Sequence, residues 1–348
     1  MSKEKKEFLM VFSGDHLPIE GKKATTKEEI VALLQDDMKG EHAAIIQYLQ
    51  HSYKIGDDAG EVNSEIESIA RDEMRHFRWL GELIVEYGGD PTMLRDPIFL
   101  DAPDTTDLLA LDVDAEQRAI EQYRDHLAAI DEPKVRLYIR RILMDEIFHQ
   151  GKFRGFIAEL GGDEDKEVKP GDTGPWNKDP NPASQDLELN EKGDAVPADM
   201  QDAKRDDHPL VKLLNNRIHQ EYETILIYLH QAFISQNPEQ RNFLISDKAV
   251  WHMTHMGTLG EAVADMDEKP DMELDFNEKF LEKAPVEPRQ FNRWAVTREQ
   301  ELNKITEELL AHPIFHGSDP DEDLLSDLKR INGHGKFQVE QLQLDVDK

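Results

Sequence analysis

Cysteine is absent from all 348 residues. Disulfides, thiolate metal sites and iron–sulfur clusters are therefore excluded, which leaves oxygen and imidazole nitrogen as the available metal ligands. Long apolar runs are also missing. None approaches the roughly 18 residues that a membrane-spanning helix requires, so no membrane span is expected. The opening MSKEKKEFLMVFSGDH has no extended apolar core, so no signal peptide is read there and the expected location is cytoplasmic. Basic residues are few: 41 Lys and Arg stand against 73 Asp and Glu, a formal charge of −32. A field of that sign repels nucleic acid and anionic membrane and attracts cations, so neither of the first two is an expected partner. Its plainest reading is solubility.

Apolar residues make up only 38% of the chain, but they are gathered into periodic segments that can pack a core. At about 100–200 residues per domain the length suits two bundles rather than one. Residues 1–25 read as a polar arm, with Phe8 to Phe12 as a small apolar group able to dock. Thr26 followed by Glu28 and Glu29 marks a helix start, and Ile30, Leu33, Leu34, Met38, Ile45, Tyr48 and Leu49 form an apolar stripe reaching to about Tyr53. A second helix is expected over about 62–87, stopped by Gly88-Gly89. A connection over about 90–106 is long enough to return the third helix, about 106–130, parallel to the second. Asp131-Glu132-Pro133 turns into a fourth helix ending at Gly161-Gly162. These four helices make a bundle over 26–162. Residues 163–207, charged and rich in Pro and Gly, read as a linker before a second bundle over 208–348. The fold class expected is all-α, with two tandem four-helix bundles, each with one long crossover.

The chemistry is concentrated in Asp72-Glu73-Met74-Arg75-His76 and Asp145-Glu146-Ile147-Phe148-His149. Residues three apart share a helix face, so each Glu and its His point into one space. Glu41 and Glu116, on the other two helices, are each followed by Ala at the third position and Tyr at the seventh. Glu41 lies on an apolar stripe, where an unpaired carboxylate is costly and a metal would remove the cost. Glu, Glu-x-x-His, Glu, Glu-x-x-His is the ligand pattern of a di-iron or di-manganese carboxylate bundle. Four glutamates balance two divalent ions, and a ligand set this rich in oxygen suits iron or manganese better than copper. Asp72 and Asp145 stand four residues before their histidines and are candidates to hold the free ring nitrogens. Tyr48 and Tyr123 are read either as core or as donors to ligand carboxylates. Glu121 competes with Glu116 for the third-helix position, and only the Ala/Tyr spacing prefers Glu116.

The second half repeats the plan in altered form. Glu221 precedes Tyr228 by seven, His252-Met253-Thr254-His255 matches Glu73 to His76, and Glu299 sits where Glu116 did. Aligning Gly335-Lys336-Phe337 with Gly151-Lys152-Phe153 leaves no Glu-x-x-His on the last helix, and His334 is one position out of phase with His149. Two readings stay open. Glu221, His252 and His255, with Glu299 or His334, hold one metal, or the half is a structural pseudo-subunit.

Together the segments resemble the ferritin-like superfamily, nearest to bacterioferritins and rubrerythrins. The likeness rests on DEMRHFRWL, on the Tyr seven after the first and third glutamates, and on GGDP after the second helix. It covers about 30–160 well and about 208–345 in degraded form. The resemblance implies Glu41, Glu73, Glu116 and Glu146 as carboxylate ligands and His76 and His149 as imidazole ligands, with Glu73 and Glu146 bridging. It implies two Fe ions, with Mn as the alternative, and an oxidoreductase that oxidises Fe(II) with O₂ or hydrogen peroxide. Other members imply iron storage in a cage of many copies, or oxygenase action on a small organic substrate. Without cysteine there is no attached rubredoxin-type site, so any electron donor is an external protein, and a homo-oligomer is compatible with the family. Met74 and Met253 occupy the place of a haem-ligating Met, but their expected role is packing and haem is not expected.

Overall fold

The computed structural model describes residues 23–166, 209–316 and 321–346, apart from 101, 103, 267 and 273–278. The Phe8 to Phe12 group and nearly all of the expected 163–207 linker lie outside the described residues. The chain divides into two compact units, Met1–Leu187 and Glu188–Lys348. Both are helical, and among the described residues no helix is long and apolar enough to cross a membrane.

In the first unit α1 (Lys27–Ile55) and α2 (Val62–Glu86) form one hairpin, and α3 (Thr105–Ala129) and α4 (Pro133–Glu159) the other. Helix α1 starts where Thr26 and Glu29 satisfy each other's backbone amides in a capping box, a device worth about 1 kcal/mol. Helix α2 ends on Gly88 at φ +89°, a left-handed conformation that glycine adopts without cost. Gly89 is needed for a different reason: a Cβ there would lie 2.6 Å from Val31 Cγ1. Leu34, Met38, Ile66, Leu80, Ile84, Leu109, Ile139, Ile142 and Phe153 are fully buried. Each contributes about 1.5–3 kcal/mol of apolar burial.

Contacts between α1 and α3 run in opposite order, Tyr48 with Glu116 and Tyr123 with Glu41. Those between α2 and α4 do likewise, Asp72 with His149 and His76 with Asp145. Helix α3 therefore returns parallel to α2, as the long connection predicts. That connection lies along α1, held by a stripe of polar side chains. Gln35 Nε2 donates to the Asp90 carbonyl (2.6 Å) and Gln35 Oε1 accepts from Thr92 N (2.8 Å). His42 meets the Leu94 carbonyl at 3.1 Å, and Gln47 Oε1 accepts from Phe99 N at 3.0 Å. His51 spans Asp112 Oδ1 (2.8 Å) and the Phe99 carbonyl (2.9 Å). The stripe satisfies an irregular backbone that would otherwise be buried without partners.

In the second unit α5 (Pro209–Ile234) precedes a broken rod: α6 (Pro238–Asn242), a π-helical segment (Phe243–Ala249) and α7 (Val250–Ala264). Helices α8 (Pro288–Leu310) and α9 (Glu322–Val346) complete it. Leu214, Ile218, Ala232, Leu259, Val263, Leu309 and Leu328 fill its core. The π segment shifts the helical phase and carries Lys248 inward, where its side chain is buried.

Candidate metal centre

The structure brings all six predicted residues of the first unit together. Glu41 comes from α1, Glu73 and His76 from α2, Glu116 from α3, and Glu146 and His149 from α4, and all are buried. Their donor atoms form two overlapping groups, each within 4.8 Å: Glu41, Glu73, His76 and Glu146; and Glu73, Glu116, Glu146 and His149. Glu73 and Glu146 are common to both. Glu121 is exposed and accepts from Gln117, whereas Glu116 is buried with the other five.

The supporting residues are exchanged between hairpins. Asp145 Oδ2 accepts from His76 Nε2 at 3.2 Å, and Asp72 Oδ2 from His149 Nε2 at 3.3 Å. The spacing suggests that each aspartate serves the histidine four residues on. The reason it does not is the ring's own geometry: Nδ1, nearer the backbone, faces the glutamates, while Nε2 at the far end reaches the opposite helix. The tyrosines are exchanged too. Tyr48 donates to Glu116 Oε1 at 2.7 Å, and Tyr123 donates to Glu41 Oε1. Arg75 sits outside, bridging Asp72 (2.9 Å) and Asp145 (3.3 Å).

The centre is rich in negative charge and short of donors. Among the described residues no lysine or arginine pairs with any of the four glutamates. Glu41 Oε2, Glu73 Oε1, Glu116 Oε2, Glu146 Oε1 and His149 Nδ1 are buried without a well-aligned hydrogen bond. What lies near them are ring nitrogens, His76 Nδ1 at 3.3 Å from Glu41 and 3.0 Å from Glu146, and His149 Nδ1 at 2.8 Å from Glu73, so four carboxylates share two rings. Burial and the neighbouring Glu146 push Glu41 and Glu116 well above the usual carboxylate range. For Glu73 burial acts upward, but His149 and His76 outweigh it and hold the group low. Burial opposes charge on both rings, yet Glu41 and Glu73 hold His76 well above its ordinary value, and Glu73 lifts His149 to about 10. Without a metal, protons take the place of cations here. A cavity of about 80 Å³ adjoins the centre, lined by Glu41, Tyr48, Tyr123 and Glu146 and, further out, by Asp37 and Asp96.

In the second unit Glu221, His252 and His255 also gather, with donor atoms within 4.8 Å. Glu299 reaches His252 from α8, and His334 reaches His255 from α9. Arg217, unremarked in the sequence pattern, is buried against Glu221 at 2.8 Å. Its signal was present: a basic residue four before Glu221 on a buried helix face. Met74 and Met253 are half-buried.

Comparison with known proteins finds a family model, a relative and a solved structure, and the family match falls in the first unit. The ferritin family model, described as the ferritin-like domain, matches residues 31–161. The bacterioferritin of Desulfovibrio desulfuricans is 31% identical over 134 residues, spanning 37% of this chain and 74% of that protein. A crystal structure of D. desulfuricans bacterioferritin, reported as showing the diiron site in different catalytic states, is 26% identical with a TM-score of 0.38. It covers 44% of this chain and 95% of its own.

Proposed function

This chain belongs to the ferritin-like family, and from that premise we propose that its first unit carries a di-iron carboxylate centre that oxidises Fe(II) with O₂ or hydrogen peroxide. The observation that carries the reading is four buried carboxylates gathered with two imidazoles, with no lysine or arginine among the described residues to balance them and with Glu41 Oε2, Glu73 Oε1, Glu116 Oε2 and Glu146 Oε1 lacking well-aligned hydrogen bonds. The donor set fits the group: four carboxylates balance two divalent ions, and oxygen-rich ligation with one imidazole each suits iron, or manganese in its place. Glu41 and His76 would hold one ion and Glu116 and His149 the other, with Glu73 and Glu146 shared, as the two overlapping groups allow. A ferrous pair supplies two electrons to one oxidant molecule at a single site.

The chain's own residues prepare those ligands. Tyr48 and Tyr123 each occupy one oxygen of Glu116 and Glu41 and leave the other, Oε2, facing inward. Asp145 and Asp72 accept the outer ring N–H of His76 and His149, which sets the tautomer and leaves Nδ1 for the centre. The cavity of about 80 Å³ admits O₂, peroxide or an ion, whereas pockets for organic ligands begin near roughly 300 Å³. That size favours oxidant and iron handling over oxygenase action on an organic substrate.

The name of the relative favours one second reading, iron storage by an assembly of many copies. Size-exclusion chromatography separates the two: a particle of several hundred kilodaltons from this 40.0 kDa chain supports the assembly. We read the second unit as a repeat of the first, because Tyr228 donates to Glu299 as Tyr48 does to Glu116. The deciding experiment measures metal per chain and the rate of Fe(II) oxidation, for the natural chain and for Glu73→Ala/Glu146→Ala. Two Fe per chain and an oxidation rate that both vanish in the variant support the reading. A natural chain that takes up no metal defeats it.

A further inference from the structure

The second unit's polar centre differs from the first in its charge, and the difference follows from two positions. Four residues before Glu41 stands Asp37, and four before Glu221 stands Arg217. Seven residues after Glu116 stands Tyr123, and seven after Glu299 stands Thr306. The short Thr306 leaves room that a tyrosine would fill, and Arg217 lies there, its Nε donating to Thr306 Oγ1 at 3.1 Å and its Nη2 2.8 Å from Glu221 Oε1. His252 lies between two carboxylates, Nδ1 on Glu221 Oε2 and Nε2 on Glu299 Oε1 at 2.9 Å. Two carboxylates thus share a site with the Arg217 guanidinium, a fixed cation with no counterpart beside the first unit's glutamates.

The remaining donors are ordered in one direction. Lys248 Nζ donates to Gln338 Oε1, and Gln338 Nε2 to His334 Nε2 at 3.1 Å. His334 Nδ1 then donates to His255 Nε2 at 3.0 Å, and His255 Nδ1 to Glu221 Oε1 at 3.1 Å. Both Glu221 oxygens are engaged, Oε1 by Arg217 and His255 and Oε2 by His252, and Glu299 Oε1 accepts from Tyr228 and meets His252. A metal on Glu221 would have to displace the Arg217 guanidinium or share the carboxylate with it, and would add positive charge where Arg217 and Lys248 are already buried.

We propose that Arg217 is a built-in cation that takes a metal's place in the second unit, so that this centre ties α5, α7 and α8 together without binding a divalent ion.

The test uses the full chain with Glu73→Ala/Glu146→Ala, so that bound metal reports on the second unit alone. The probe is Co(II), counted by elemental analysis after free ion is removed. Less than about 0.2 Co per chain is expected. About one Co per chain, lost on adding His255→Ala, overturns the proposal. Adding Arg217→Met should raise the count to about one, and a folded variant that takes up none shows that the guanidinium does not exclude the ion, which also overturns it. If the natural chain binds no metal, the di-iron reading fails while this one stands; metal in the second unit gives the reverse.

Discussion

Removing Asp145 should weaken metal binding more than removing Asp72, although the two make nearly equal contacts. Asp145 Oδ2 lies 3.2 Å from His76 Nε2, and Asp72 Oδ2 lies 3.3 Å from His149 Nε2. Their surroundings differ: the Asp145 side chain is 13% exposed and that of Asp72 is 37% exposed. Loss of a carboxylate behind a ligand histidine costs 10–100-fold in metal affinity, about 1.4–2.7 kcal/mol. Water screens Asp72 more, so Asp72→Ala belongs near the tenfold end and Asp145→Ala near the hundredfold end. Arg75 is not stranded by the second change, because it keeps Asp72 at 2.9 Å. Asp145→Asn retains an acceptor oxygen and loses only charge, so it should fall between the natural chain and the alanine variant. Anaerobic titration of Co(II) against a chromophoric chelator gives the affinities, and thermal unfolding of the metal-free proteins checks that each is folded. An Asp145→Ala protein within twofold of the natural chain, or Asp72→Ala weaker than Asp145→Ala, would refute the reasoning.

Gly89→Ala should destabilise the first unit by about 1–3 kcal/mol, since its Cβ would press on Val31 and Ile84; an unchanged unfolding midpoint in differential scanning calorimetry counts against the packing described. Chelation should lower the midpoint of the natural chain, each ion at a hundred times its Kd contributing about 2.7 kcal/mol. The Glu73→Ala/Glu146→Ala chain should show no such shift with chelator. His126 pairs with the buried Asp37 at 2.7 Å, and although burial opposes its charge, Asp37 raises its pKa. A raised folded pKa gives stability that is complete below the unfolded value of about 6.5 and is lost as pH rises through the folded value. Unfolding midpoints should therefore contain a component that falls with rising pH above about 6.5, and Asp37→Asn should abolish it.

Much of the first unit was legible because its signals are local. Thr26 with Glu29, the paired glycines after α2 and the Glu-x-x-His spacing each act within one or two turns, and the helices fall within about two residues of expectation. The burial of Glu116 rather than Glu121 was readable from spacing alone, since one face of α3 must be buried and carries Tyr123 as well. What the sequence hid is tertiary. Nothing local tells that Asp72 serves His149 rather than His76, or that Gln35, His42, Gln47 and His51 are spent on the backbone of the crossover. The π segment before α7 was likewise unreadable, because it changes the helical phase without any glycine or proline between 243 and 249. Arg217 is the instructive omission: counting carboxylates and imidazoles around Glu221 finds possible ligands, and only a count of the cations beside them finds the competitor.

The exchange of supporting residues has a consequence for the chain as it is made. When α1 and α2 have left the ribosome, Glu41 still lacks Tyr123 and His76 still lacks Asp145, which arrive only with the second hairpin. The same holds in reverse for Glu116 and His149, which wait on Tyr48 and Asp72. Neither hairpin owns a finished set of donors. A chain with only its first hairpin presents carboxylates without their tyrosine and aspartate partners. On the di-iron reading, a firm grip on metal therefore requires both hairpins to have met.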